Sequence, residues 1–174
     1  MVLNMGPMLR GEITRMEIAY ELTPEPILDV IFPENAKVEG YITDDAGYMR
    51  LYLTAKLPYL GQCARCLDAV EGVFTLEFER TVAAEGTITE EQLEENEDSY
   101  VMIRDGKLDV DEALREELLV CFPMRLLCDE DCPGLCPKCG KSLKLGDCGC
   151  PKREPDPRLA ILGTLFDKDE NNKE

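Results

Sequence analysis

Tyr48-Met49-Arg50-Leu51-Tyr52-Leu53-Thr54-Ala55-Lys56-Leu57 alternates apolar and polar side chains along its whole length. Successive side chains on a strand point to opposite faces, so Met49, Leu51, Leu53, Ala55 and Leu57 share one side and predict a half-buried strand. Phe74, Leu76 and Phe78 alternate in the same way with Thr75, Glu77 and Glu79. Between the two runs lies Cys63-Ala-Arg-Cys66, where the tip of a hairpin belongs. Working upstream, Ile13 to Tyr20 and Lys37 to Thr43 are weaker strand candidates, and Asp45-Ala46-Gly47 reads as a turn. A curled antiparallel sheet is the expected body.

Downstream, residues 81–99 hold seven acids and no base. Such a run reads as a solvated loop or a short exposed helix around Glu90–Glu95; the rival reading is a docking arm for a basic protein. Tyr100–Arg104, Asp105-Gly106 and Lys107–Val110 look like a short extended piece and a turn. A helix follows. Asp109 stands at its N-cap with Glu112 three residues on, a capping box with Asp in place of Ser or Thr. Val110, Leu114, Leu118 and Cys121 or Phe122 recur at helical spacing, and Pro123 ends the run. Leu159–Phe166 is a short apolar stretch that Asp156 and Pro157 suit as a helix start.

The fold class expected is α+β: an antiparallel β-rich body with one main helix and a C-terminal all-cysteine zinc-binding module. The expected divisions are 1–127 for the body, 128–166 for the cysteine-rich module and its terminal helix, and 167–174 for a disordered tail.

Composition narrows the chemistry. The chain has 174 residues, 44% hydrophobic and 32% charged, which suits a soluble globular protein. Its net charge is −17, against simple nucleic-acid binding, because affinity for a polyanion comes largely from Lys and Arg displacing counterions. Histidine is absent, so neither a Ser-His-Asp nor a Cys-His catalytic set can be assembled from this sequence. The charge is unevenly spread: residues 1–135 hold 29 acidic and 11 basic residues, net −18, and residues 136–174 hold 7 and 8, net +1. The opening residues lack the apolar run of a signal peptide, and no stretch reaches the ~18–20 apolar residues of a membrane helix. A cytoplasmic protein with reduced thiols, no membrane contact and no small-molecule substrate is expected.

Nine cysteines fall at 63, 66, 121, 128, 132, 136, 139, 148 and 150. Structural zinc is commonly held by four thiolates, so eight of these fill two sites. Cys136, Cys139, Cys148 and Cys150 form a local C-x₂-C-x₈-C-x-C set that closes on itself. Cys63 and Cys66 would pair with Cys128 and Cys132, stapling the sheet to the segment after the helix, although Cys128 or Cys132 could swap into the local set. Cys121 is left over, as a small apolar group buried by its helix. One or two structural Zn²⁺ ions follow. A thiol redox enzyme is the weaker alternative, because its C-x-x-C opens a helix in a βαβ unit. Lys138, Lys141, Lys144, Lys152, Arg153 and Arg158 surround the local set. They either balance the thiolate charge or form a small basic face for RNA or another acidic partner.

Cys63-Ala-Arg-Cys66-Leu67, the Asp111–Leu118 helix, and Leu127-Cys128-Asp129-Glu130-Asp131-Cys132-Pro133-Gly134-Leu135-Cys136-Pro137-Lys138-Cys139-Gly140 followed by Cys148-Gly-Cys150 and Asp156-Pro157-Arg158 carry a resemblance. Together they resemble the YceD family, the large ribosomal RNA subunit accumulation proteins, over about residues 10–166. One departure is mild: the family's asparagine-rich turn after C-x-x-C-G is Lys141-Ser142-Leu143-Lys144 here. The resemblance implies a non-enzymatic accessory factor in large-subunit biogenesis that supports accumulation of large-subunit rRNA. Charge adds the expected partner: an acidic body suits a ribosomal protein or precursor particle, met through the acidic stretch 85–98, with any RNA contact confined to the C-terminal module. A zinc-binding transcription or signalling adaptor is the rival reading.

Overall fold

The computed structural model of the protein describes residues 1–87 and 100–151. They fall into two units, Met1–Cys132 and a second beginning at Pro133.

In the first unit, a five-stranded sheet runs in the order β2 (Arg15–Leu22), β3 (Ala36–Asp45), β4 (Tyr48–Gln62), β5 (Ala69–Ala84) and β6 (Tyr100–Ile103). The alternation of β4 places Met49, Leu51, Leu53, Ala55 and Leu57 in the core. On the opposite face Tyr52 stacks on Tyr41 at 4.9 Å between ring centroids, and Arg50 Nη1 donates to Glu79 Oε1 at 2.9 Å. Ala46 and Gly47 take φ of 54° and 93°, the left-handed pair that a two-residue hairpin between β3 and β4 requires. β4 and β5 pair from Met49↔Val82 to Gln62↔Ala69, one long hairpin that carries residues 63–68 at its far end.

β6 corrects the expected all-antiparallel sheet: it lies parallel to β5, in register from Thr81↔Tyr100 to Ala84↔Ile103. Parallel neighbours need a crossover of about a dozen residues or more, and the stretch 85–99 is long enough to supply one. β7 (Lys107–Asp109) leaves this sheet and pairs with β1 (Val2–Asn4). The short helix α1 (Gly6–Leu9) then buries Met8, next to the fully buried Met5.

α2 (Val110–Cys121) begins as its sequence suggests. Asp109 Oδ1 accepts from the amides of Asp111 at 3.0 Å and Glu112 at 3.4 Å. The carboxylate of Glu112 turns toward Arg104 instead of completing a capping box. Val110, Ala113, Leu114 and Leu118 are buried. The next core position goes to Phe122, whose ring meets Phe32, Tyr59 and Phe74 edge-on at 5.8, 5.7 and 5.1 Å. That choice corrects the expectation for Cys121, which is exposed: with Phe122 taking the core, Cys121 turns outward and its thiol donates to Glu117 Oε1 at 3.3 Å.

The body extends through Cys132, five residues beyond the boundary expected at 127, because the segment after α2 folds back on the hairpin tip. The expected helix around Glu90–Glu95, the terminal helix at 159–166 and the tail 167–174 lie outside the described residues. Among the described residues, no helix is long and apolar enough to cross a membrane.

Candidate metal centres

Cys63-Ala-Arg-Cys66 is a knuckle at the end of the β4–β5 hairpin. The Cys63 amide donates to Asp68 O at 2.8 Å, and the Leu67 amide donates to Cys63 O at 2.9 Å. This closed loop turns both sulfurs to one side, which requires Leu67 to adopt φ 63°.

The segment after α2 brings the second pair. The Ala64 amide donates to Leu126 O at 2.8 Å, fixing the approach of the chain to the knuckle. Asp129 Oδ1 accepts from the Asp131 amide at 2.8 Å, and the Cys132 amide donates to Asp129 O at 3.1 Å, so residues 129–132 form a tight turn. Arg65 spans the two segments: its Nη1 donates to Glu130 O at 2.9 Å and Cys132 O at 3.0 Å. Arg65 carries no ligand atom and the spacing of cysteines gives no hint of it.

The sulfurs of Cys63, Cys66, Cys128 and Cys132 all lie within 4.8 Å of one another. Cys63 and Cys132 are 3.8 Å apart and Cys66 and Cys128 3.6 Å. Four thiolates at ~2.3 Å from a central tetrahedral ion stand ~3.8 Å from each other, so the set fits a zinc-sized cation. The pairing of 63/66 with 128/132 is the arrangement geometry selects, and neither Cys128 nor Cys132 joins the local set.

Cys136, Cys139, Cys148 and Cys150 form the second group, again within 4.8 Å. The Cys136 amide donates to Lys141 O at 2.8 Å and the Gly140 amide to Cys136 O at 2.8 Å, repeating the hydrogen bonds of the first knuckle. Leu135 bridges Ser142, and a 3₁₀ turn at Leu143–Leu145 leads the chain back toward Cys148. Gly149 at φ 73° lets Cys148 and Cys150 face the same point, and its amide donates to Asp147 Oδ1 at 3.1 Å.

Each group holds one acidified thiol. The amide of Cys128, with those of Arg65 and Cys66, holds Cys63 at about 6, while burial pushes Cys66 up to about 12. In the second group the amides of Cys139 and Lys138 hold Cys136 at about 6, and the neighbouring thiols of Cys139 and Cys148 push Cys150 up to about 12. A negative charge on Cys63 discourages Cys66 from ionising, and one on Cys136 does the same to Cys148 and Cys150. A divalent cation reverses that balance, because all four ligands then bind as thiolates and their protons leave.

Lys138, Lys141 and Lys144 are exposed beside the second group. Lys152, Arg153 and Arg158, and all of the acidic stretch 85–98 beyond Thr87, lie outside the described residues.

A family model described as "Large ribosomal RNA subunit accumulation protein YceD" matches residues 51–166, which spans both cysteine groups. The chain belongs to the YceD family. Uncharacterized proteins of Mycobacterium bovis and Mycobacterium tuberculosis are each 34% identical to it over 109 residues, 63% of this chain and 51% of theirs. A Mycobacterium leprae protein, also described as uncharacterized, is 31% identical over 116 residues, 67% of this chain and 52% of its own. The chain thus spans about half the length of the curated relatives it matches. No solved structure matches it. For this YceD protein, the family description names large-subunit ribosomal RNA accumulation as the process involved.

Proposed function

We propose that this chain is a non-enzymatic, cytoplasmic accessory factor of large-subunit biogenesis, which supports rRNA accumulation by binding a ribosomal protein or a precursor particle. Both cysteine groups hold structural Zn²⁺ in this reading. Four sulfurs complete a tetrahedron and leave no position open to substrate, which favours a structural ion over a catalytic one. Cys63-Ala-Arg-Cys66 joins two strands, so it lacks the helix N-terminus that activates redox C-x-x-C pairs.

The observation that carries the reading is the charge division along the chain. Met1–Cys132 contains 29 acidic and 11 basic residues, net −18, whereas residues 133–174 contain 7 and 8, net +1. Two zinc ions in four thiolates each take the whole chain from −17 to about −21. Such a body repels the RNA backbone and attracts a basic protein, so direct RNA contact belongs to the C-terminal module, through Lys138, Lys141 and Lys144 together with Lys152, Arg153 and Arg158.

Sedimentation of a lysate at low salt tests this. Co-migration with immature large-subunit particles, lost on raising the salt, is the expected result. Migration only with free protein, or with transcription complexes, overturns it and favours an adaptor.

A further inference from the structure

The first unit carries an apolar groove of about 500 Å³, lined in part by Leu28, Leu67, Leu119, Phe122 and Met124, with Cys63 at its wall. Leu28, Leu67, Leu119 and Met124 are 76%, 60%, 59% and 84% exposed. Single exposed apolar residues are ordinary, but four gathered around one concavity mark a surface meant to be covered.

Two of the four are held there against the preference of their own backbone. Leu28 sits at φ 52° in a tight turn closed by hydrogen bonds between Ile27 and Val30 at 3.1 and 2.9 Å. Leu67 sits at φ 63° in the cysteine knuckle. Gly or Asn occupies such positions at little cost, whereas the Cβ of an ordinary L-residue crowds the following carbonyl and destabilises it there. Neither leucine recovers this by burial. Non-glycine residues in this region concentrate at functional sites.

Charge identifies the occupant. The knuckle and the turn facing it carry Asp68, Asp129, Glu130 and Asp131 against Arg65, whose guanidinium is engaged by the Glu130 and Cys132 carbonyls. Asp29 and Arg125 lie in the groove lining itself. The surrounding unit has a net charge of −18. Nucleic acid and acidic peptides are repelled from a unit so charged.

We infer that the groove docks a basic protein segment bearing an aliphatic or aromatic anchor, with the anchor between Leu28, Leu67 and Met124 and its flanking cations over the carboxylates. This deepens the proposed function and rests on it only in taking the partner to be a cationic protein.

The test uses the full chain and fluorescence anisotropy with a labelled lysine-rich peptide carrying a Leu-x-x-Leu pair, its Ala-x-x-Ala twin, and a twin with glutamate for lysine. Binding of the first, with each twin about tenfold weaker or worse, is expected. Leu28→Asn and Leu67→Asn suit the left-handed backbone, so they should weaken binding about tenfold while leaving the thermal midpoint unchanged or raised. Met124→Ser, at an ordinary backbone position, should do the same. Equal binding of the alanine twin, or no effect of these variants, overturns the inference. So does binding that appears only after Ile161→Asp and Leu165→Asp, which would assign the groove to the chain's own C-terminal stretch. A dimer that Leu67→Asn dissociates would assign the groove to a second copy and overturns the inference equally. Co-sedimentation of the same variants separates the two readings. Peptide binding without particle association sinks the ribosomal role alone, and the reverse sinks the groove alone.

Discussion

Leu67 and Gly140 hold the same place in the two cysteine knuckles. Each follows the second cysteine, each takes a left-handed φ (63° and 71°), and each donates its amide to the carbonyl of the first cysteine, at 2.9 and 2.8 Å. Glycine does this without strain; leucine does not. Nothing lies within 4 Å of the position a Cβ on Gly140 would occupy, so the cost there is purely one of backbone conformation.

Exchange of these residues should therefore be asymmetric. Gly140→Leu is expected to weaken metal retention in the second group by about 1–2 kcal/mol. Leu67→Gly should be near neutral, because relief of strain offsets about 0.5–1 kcal/mol of added chain entropy. Chelator competition measures the first and thermal denaturation the second; equal losses in both would contradict the strain argument.

The two groups close within separate units, which predicts separable losses. Cys136→Ser should remove one zinc by elemental analysis and leave the cooperative unfolding of the body intact. Cys132→Ser should remove the other and lower the unfolding midpoint, since it releases the segment after α2 from the hairpin. Global unfolding in the Cys136 variant would show the groups to be coupled.

Arg65 holds the turn at 129–132 without ligating. Arg65→Ala should speed chelator-driven metal loss from the first group by about 10–100-fold, as removal of outer-shell support does elsewhere, and leave the second group unaffected.

Cys121 should be the one thiol that alkylates in the metal-loaded protein. Its hydrogen bond to the Glu117 carboxylate favours the protonated form and raises its pKa above the ordinary thiol value. The modification rate should thus climb only at alkaline pH, and Glu117→Gln should move that climb to lower pH. Mass spectrometry of timed iodoacetamide digests reads both. Rapid modification of Cys121 near neutrality would contradict the assignment.

The inward face of β4 was legible because a strand repeats every two residues and five apolar positions in step leave little ambiguity. Asp109 was legible as a cap for an equally local reason, since its partners are amides two and three residues away. C-x-x-C spacing marked the two knuckles, which set where two sulfurs can meet, but the pairing of 63/66 with 128/132 was left open and needed the return of the segment after α2. β1 and β7 were not legible as partners: at three residues each they are too short to show a period. The choice between Cys121 and Phe122 for the core was also open, because both fall near the helical stripe.

What the sequence determined by itself is therefore what acts over a few residues: strand alternation, the helix cap, the two knuckles and the separation of acidic from basic segments. The tertiary structure decided the parallel placement of β6, the outward turn of Cys121, the clamp made by Arg65, and the gathering of Leu28, Leu67, Leu119 and Met124 around one groove. Each of these depends on contacts between residues far apart in the chain, whose meeting is governed by packing and chain return rather than by any local pattern.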